Sequence, residues 1–353
     1  MDPHLHLSIE AMAEMKGIST NLAEWTGIGN KFLEKAEAII MGSGVPNAPH
    51  IKFEDATHAY QRAAEAFRIA EKWQEACDAY SKAADIQLRL SCPEEAATFS
   101  AEAAEIIERV NPADAIVFYR NCISLLCEVG RFGTAGRIQR KLAEMYEADR
   151  NFDDAIDQYR QASDYYLGDN EVAQSDLCLV KVAYYQGLME EFDDAAIIYA
   201  DVGFRCLDNN LLRFNARDYF FRSGLLMIAA GPLAFNRLKR KMMDFKTADP
   251  SFAYSRECLF LENMLVLYHS SDIHAFADHV YNFDNVSHLD SWCLEMLYEI
   301  RNLVQDKFEA AEIAAKEDLL DSIPCLEITE VSKLENDVST LAAFGKAELP
   351  SEL

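Results

Sequence analysis

The sequence predicts an all-α protein, a right-handed α-solenoid of antiparallel helix hairpins closed by a C-terminal helical bundle. Seven segments begin with an aromatic residue or a proline, followed three residues later by a small residue, nearly always Ala. The starts are about 20 residues apart, so a hairpin takes about 40, a period typical of tetratricopeptide-like (TPR-like) solenoids. The seven starts are Phe53, Trp73, Pro93, Pro112, Phe132, Phe152 and Phe192, with a weaker repeat at Val172.

The composition of these segments explains how neighbouring helices would pack. In the segment Phe152, Ala155 and Tyr159, for example, the three residues lie on one helix face, and the small Ala lets the next helix approach closely. A single hairpin cannot bury this stripe, whereas stacked hairpins bury it in a continuous core. The alternative is an irregular helical bundle with chance Ala spacing, and the regular starts favour the solenoid.

Breaks and capping residues divide the chain. A first helix is expected around Asn30 to Ile40, followed by a break from Met41 to Pro49 that contains two Gly and two Pro. Asn111-Pro112 and Asp249-Pro250 place a capping side chain before a proline at the first helical position. The predicted regions are an N-terminal extension (1–22), a TPR-like array (23–250), a C-terminal bundle (251–320) and an acidic, disordered tail (321–353).

The charge balance limits which partners the protein can bind. The chain has 33 Lys and Arg residues against 59 Asp and Glu residues, a formal net charge of −26. A nucleic-acid backbone would be repelled, so the sequence favours a basic partner or a local basic patch within an acidic whole. At 50% hydrophobic residues, the chain has enough apolar material for one elongated domain or two compact ones, and the repeat favours the elongated form.

The cysteines and apolar runs indicate a cytoplasmic protein. Nine cysteines are scattered without a C-x-x-C pair, as expected of small buried residues in a reducing compartment. The longest apolar run, Leu225 to Leu233, is interrupted by Gly231-Pro232 and is far shorter than a membrane span. Residues 1–10 have no signal-peptide pattern.

No motif in the sequence indicates catalysis. There is no phosphate-binding glycine loop and no H-E-x-x-H. His269, His274 and His279 are five residues apart, so successive side chains on a helix would diverge by about 140° and could not share one metal. Acidic pairs fall in the first turns of predicted helices, where they favour the macrodipole: Glu94-Glu95, Asp153-Asp154 and Asp193-Asp194. We therefore expect no enzyme activity, no catalytic residues, no metal and no cofactor.

Several stretches between about residues 30 and 305 resemble, in order, the α/β type of the soluble NSF attachment proteins. The matching stretches are Lys52–Ala56 with Tyr60–Ala64, Ala162–Tyr166, Lys181–Ala183, Asn210–Arg213, Ala216–Phe221, Ser255–Cys258 and Phe283-Asp284 with Leu289–Trp292. The last four of these stretches distinguish this family from a generic repeat protein.

The resemblance implies a non-catalytic adaptor of vesicle-mediated transport, peripheral on membranes. In this family, several copies surround the four-helix SNARE complex (syntaxin-type) and recruit the hexameric AAA ATPase NSF, which pulls the complex apart. The family meets the acidic SNARE bundle with basic residues of a concave face. The matching positions here are Arg131, Arg137, Arg213 and Arg217. This chain departs from the family at Leu167, where members often carry Lys.

The resemblance implies two further surfaces. Familiar members touch the bilayer with an apolar loop, for which this chain offers Ile39, Ile40, Met41 and Val45; the alternative is that Ile39 and Ile40 complete the helix core. The acidic-leucine ending that stimulates NSF has a counterpart in Glu317, Asp318, Leu319 and Leu320, followed by 33 more residues.

Two other functions remain open on the sequence. One is a diverged TPR-like scaffold that binds a different helical or peptide partner. The other is an enzyme built on helical repeats, such as a prenyltransferase subunit. The sequence disfavours this function because it shows no set of catalytic residues.

Overall fold

A computed structural model of the protein describes residues 22–42, 49–270 and 272–322. Within these residues the structure consists of fourteen α-helices, three short 3₁₀ turns and their connections. The helices are α1 (Leu22–Met41), α2 (Pro49–Ile69), α3 (Trp73–Arg89), α4 (Pro93–Ile107), α5 (Pro112–Val129), α6 (Phe132–Ala148), α7 (Phe152–Gly168), α8 (Val172–Leu188), α9 (Phe192–Leu207), α10 (Ala216–Ala229), α11 (Phe235–Ala248), α12 (Arg256–Ser270), α13 (Ile273–Ser287) and α14 (Ser291–Ser322).

The predicted helix starts are confirmed for α3 to α9, which begin at the aromatic, proline or valine residue of each segment. Two N-terminal predictions need correction. Helix α2 begins at Pro49, one turn before Phe53, because proline has the backbone angle of a first helical residue. Helix α1 begins at Leu22, eight residues before the expected Asn30.

A repeated turn joins the array helices. Six connections contain one residue with left-handed φ two positions before the next helix, and the residue after it donates its N–H to the carbonyl five residues back, as in Lys72 to Phe67 (2.9 Å). This pattern satisfies the last carbonyls of each helix and reverses the chain. Gly130 is the one glycine among these residues; the others are Glu71, Ser91, Arg150, Asn170 and Glu190.

The small and aromatic stripe forms the core of the array. The small residue in each of the seven predicted segments is fully buried, and the Tyr residues that follow, such as Tyr159, are nearly so. Each helix packs on the next in the chain from α1 to α10. The all-α solenoid is therefore confirmed, because the stripe is buried between successive helices.

Helix α10 connects the array to the C-terminal helices. It packs against α9, α11, α12 and α14, and α14 also returns to α8. One apolar cluster runs from Ala183 to Val304 and includes Phe245 and Phe252 on either side of residue 250. The core is thus continuous across the predicted boundary at 250, and the division into array and bundle stays a prediction.

The cysteines that the structure describes are buried or half-buried and form no disulfide with one another. Burial raises the pKa of Cys77 to about 11 and that of Cys122 to about 12, since the thiolate loses its hydration. None of the described helices is both long and apolar enough to cross a membrane.

Candidate functional site

Alternate helices of the array share one charged face. Lys141 of α6 reaches back to Glu105 of α4 (3.2 Å), and Lys181 of α8 reaches back to Glu147 of α6 (2.9 Å). Each of these ion pairs passes over the intervening helix in the chain. Asp218 and Arg222 of α10 line the same hollow as Lys181 of α8. Helices α4, α6, α8 and α10 therefore line one surface, which we call the even-helix face.

Two of the predicted basic residues lie at the start of α6. Arg131 is exposed but already paired with Glu94 at the start of α4 (2.9 Å). Arg137 is exposed and makes no ion pair with any residue that the structure describes. It lies one turn before Lys141 and so shares its outward side of α6.

The other two predicted basic residues lie at the start of α10. Arg213 belongs to the 3₁₀ turn before this helix and Arg217 to its first turn; both are exposed and unpaired among the described residues. Arg217 borders a hollow of about 400 Å³ whose other charged residues include Glu257 and Asp290. The four arginines thus form two separate pairs, at α6 and α10.

A groove of about 550 Å³ is formed mainly by α6, α8 and α10. Sequence reasoning missed it, although the repeated tyrosines were a signal. Its charged residues include both signs, such as Arg140 and Asp218. Its aromatic residues are five tyrosines, which combine apolar rings with hydroxyl groups: Tyr159, Tyr184, Tyr185, Tyr199 and Tyr219.

Glu147 is the centre of a hydrogen-bonded cluster in the groove. Its carboxylate accepts from the Tyr159 hydroxyl (2.5 Å) and the Lys181 ammonium (2.9 Å). Burial opposes ionisation, but hydrogen bonds from Tyr159, Tyr185 and Lys181 outweigh it and lower the pKa of Glu147. Burial, followed by the hydrogen bond to Glu147, raises the pKa of Tyr159 and Tyr185. The tyrosines therefore stay protonated donors.

Arg222 forms the other end of the groove. Its guanidinium donates to Asp218 (2.9 Å) and Asp290 (2.5 Å) and lies over the Trp292 ring, 5.1 Å from the ring centre. Burial disfavours its charge, but Asp218 more than compensates and raises the pKa of Arg222. Burial likewise opposes ionisation of Asp290, while the Cys293 N–H and Arg222 lower its pKa. This cation is thus committed to holding α10 against α14.

The proposed membrane residues differ in their surroundings. Ile39 and Ile40 are half-buried and pack against the core cluster that contains Ala36 and Tyr60, so both help to complete the helix core. Met41 is 80% exposed at the end of α1. Val45 lies outside the described residues.

The proposed NSF-stimulating residues Glu317, Asp318, Leu319 and Leu320 lie in the last two turns of α14, and only their backbone is within the described part of the chain. Upstream on the same helix, Glu309 and Glu312 are exposed. Within the described ranges, no three His, Cys, Asp or Glu residues are arranged to hold a metal ion.

Residues 28–305 match the model of one protein family, described as soluble NSF attachment protein, SNAP. The chain belongs to this family. It is 32% identical over 255 residues to the alpha-soluble NSF attachment protein of Homo sapiens, which covers 72% of this chain and 85% of the human protein. The proteins of the same name from Vitis vinifera (29% identity; 79% of this chain, 95% of that protein) and Saccharomyces cerevisiae (29%; 72% and 88%) are also similar.

Proposed function

We propose that this protein is a non-catalytic adaptor that binds the assembled four-helix SNARE complex and recruits an NSF-type ATPase for its disassembly. The observation that carries the proposal is the family match, which spans the array and the C-terminal helices as one unit, residues 28–305. In this role the ATPase partner hydrolyses ATP, and the adaptor contributes binding and orientation.

The unpaired arginines of the even-helix face are the groups best suited to meet an acidic helical rod. Arg137, Arg213 and Arg217 are exposed without a carboxylate partner among the described residues, although the chain carries a net charge of −26. Each exposed contact contributes only about 0.2 to 1 kcal/mol, so these charges set orientation and encounter rate more than affinity. Arg131 contributes less because it must first leave Glu94.

The groove formed by α6, α8 and α10 supplies the uncharged part of this contact. Tyr184 and Tyr219 are half-exposed, and their rings offer a rigid contact surface at a small cost in conformational entropy. The other three tyrosines are buried and support the groove from beneath: Tyr159, Tyr185 and Tyr199. The Glu147 and Arg222 clusters hold the groove walls, since each joins two or more helices. A helical partner lying across the face would contact the exposed arginines and the half-exposed rings of Tyr184 and Tyr219.

The adaptor would have two further contact surfaces, one for the ATPase and one for the membrane. Glu317 to Leu320 at the end of α14, with exposed Glu309 and Glu312 before them, would meet a basic ATPase domain. Peripheral membrane contact at the end of α1 would depend mainly on Met41 and the segment after it, because Ile39 and Ile40 face the core. We place the adaptor in the cytoplasm, where it has access to SNARE complexes on membranes.

A binding assay with preassembled SNARE complex and NSF tests the function. The wild-type chain should bind the complex at low salt and retain NSF on it, whereas Arg213→Glu with Arg217→Glu should lose SNARE binding with unchanged helicity by circular dichroism. Arg160→Glu, at an exposed position of α7, is the control for charge reversal away from these arginines and should bind as the wild type does. A wild-type chain that binds neither partner would favour a TPR-like scaffold for another protein.

A further inference from the structure

Helix α11 is basic in an acidic protein. Its 14 residues include Arg237, Lys239, Arg240, Lys241 and Lys246 against a single acid, Asp244, while the whole chain carries a net charge of −26. No part of the proposed adaptor function uses this helix. The adaptor function therefore does not explain why positive charge is concentrated on this helix.

Only part of this charge is neutralised within the fold. Arg237 pairs with Asp193 and Lys246 with Glu262, and the Lys241 ammonium lies 5.7 Å from the centre of the Phe204 ring. Lys239 and Arg240 are exposed and form no ion pair with any residue in the described ranges. These two cations remain available to a ligand.

Exposed apolar side chains flank the two free cations. Met243 is 70% exposed one turn after Lys239 and Arg240, and Leu233, in the 3₁₀ turn before α11, is 99% exposed. We call these four residues the α11 basic face. Because it combines positive charge with large apolar side chains, it fits an acidic segment that is itself partly apolar.

The chain contains such a segment after α14. Residues 323–353 include six acidic and two basic residues, and four of the acids fall close together at Glu327, Glu330, Glu335 and Asp337. Val331, Leu334, Val338 and Leu341 recur at intervals of three and four, the spacing that would put them on one side of a helix. The sequence therefore offers acids and an apolar stripe in the same short stretch.

Helix α14 passes close to the start of α11 before this segment begins. Lys307 donates to the carbonyls of Tyr268 (2.9 Å) and His269 (3.2 Å), and the Tyr268 ring lies 4.7 Å from that of Phe235, the first residue of α11. From Lys307 the helix continues to Ser322, about 22 Å further at 1.5 Å per residue. Ten residues of extended chain span about 33 Å, so the acids that follow can return to the basic face.

We propose that residues 323–353 dock on the α11 basic face of the same chain, with acidic side chains on Lys239 and Arg240 and apolar ones on Leu233 and Met243. Because the segment is tethered, its effective concentration is in the millimolar range, and a weak contact is enough to keep it bound. Docking holds the end of α14 beside the bundle.

Cross-linking of the full chain with a water-soluble carbodiimide, which joins lysine amines to carboxylates in contact, tests the proposal. Peptide mapping of the monomer should find Lys239 joined to Glu335 or Asp337, the acids more than ten residues beyond Ser322. The yield should fall about fivefold or more at high salt and in Arg240→Glu, because surface ion pairs are screened and reversed charge repels. Lys35, exposed on α1 at the far end of the array, is the internal control.

Three results would overturn the proposal. One is a Lys239 yield no higher than that of Lys35, and another is a yield that Arg240→Glu leaves unchanged. The third is cross-linking confined to dimers, which would mean that the segment binds a second copy.

Vesicle flotation distinguishes a membrane ligand. If the cross-link is absent, and the protein floats with phosphatidylserine vesicles but Met243→Ser does not, the α11 basic face contacts membrane. None of these readouts involves SNARE complexes or NSF, so their outcome does not test the proposed adaptor function.

Discussion

Gly187 of α8 lies against the indole of Trp292 at the start of α14, so closely that a β-carbon on residue 187 would be 2.9 Å from Cζ2 of the ring. The indole is nearly fully buried and donates its Nε1 hydrogen to the carbonyl of Tyr184 (3.0 Å). It cannot move away without breaking that bond. This pair therefore fixes how α14 docks on the array.

We predict that Gly187→Ala destabilises the protein by about 1 to 3 kcal/mol, the usual cost of overpacking a filled core. The clash outweighs the gain of about 1 kcal/mol in helix propensity that alanine brings. Urea unfolding followed by tryptophan fluorescence and by circular dichroism measures the change.

The control is Gly27→Ala in α1, where an added β-carbon would have no atom within 4 Å. This substitution should be neutral or stabilising through helix propensity alone. Equal effects at residues 27 and 187 would contradict the close fit of Gly187 and Trp292.

The Arg131 ion pair leads to a prediction about SNARE binding. Glu94→Gln releases Arg131 from its 2.9 Å contact and should tighten binding of the assembled complex by up to about fivefold at low salt. Glu95→Gln changes the net charge by the same amount at a neighbouring exposed position and should have a smaller effect. Fluorescence anisotropy with labelled SNARE complex gives both dissociation constants, and equal changes would show that only net charge matters.

The sequence predicted the helices better than their surfaces. The starts of α3 to α9 were predictable because an aromatic residue or proline and a small residue mark each one in local sequence. The pairing of Arg131 with Glu94 was not, because the two residues are 37 positions apart and meet only when α4 and α6 stack. The tyrosine groove likewise depends on residues from several helices, so no single segment reveals it.

The turn conformation was also missed, for a different reason. Glu71, Ser91, Arg150 and Glu190 adopt left-handed φ although these residue types rarely do so. Their local preference is overridden by the hydrogen bonds that close the preceding helix and by the packing of the next one. Sequence patterns based on glycine therefore find only the turn at Gly130.

This strain leads to a prediction about stability. Arg150, with φ of 59°, is exposed, and glycine adopts this conformation without the cost of about 1 kcal/mol that other residues incur. Allowing for the greater freedom of glycine in the unfolded chain, Arg150→Gly should be neutral to stabilising by about 1 kcal/mol. Asp149→Gly, at the preceding residue with φ of −79°, should destabilise. Thermal unfolding compares the two, and the reverse order would contradict strain at residue 150.

Glu147 should make stability depend on pH. Its folded pKa lies below the unfolded value of about 4.3, so its ionised form stabilises the fold above that pH, and this contribution is lost as the pH falls through the folded pKa. Glu147→Gln should cost about 1 to 3 kcal/mol near neutral pH, since Tyr159, Tyr185 and Lys181 lose a charged acceptor. The loss should shrink as the pH falls from about 4.3 through the lower folded pKa, because the wild-type carboxyl then becomes protonated too. Glu128→Gln, at an exposed site on α5, is the control. Urea unfolding at a series of pH values measures the stability of both variants. If the loss of unfolding free energy in Glu147→Gln stays constant with pH, the carboxylate charge contributes nothing to joining α6, α7 and α8.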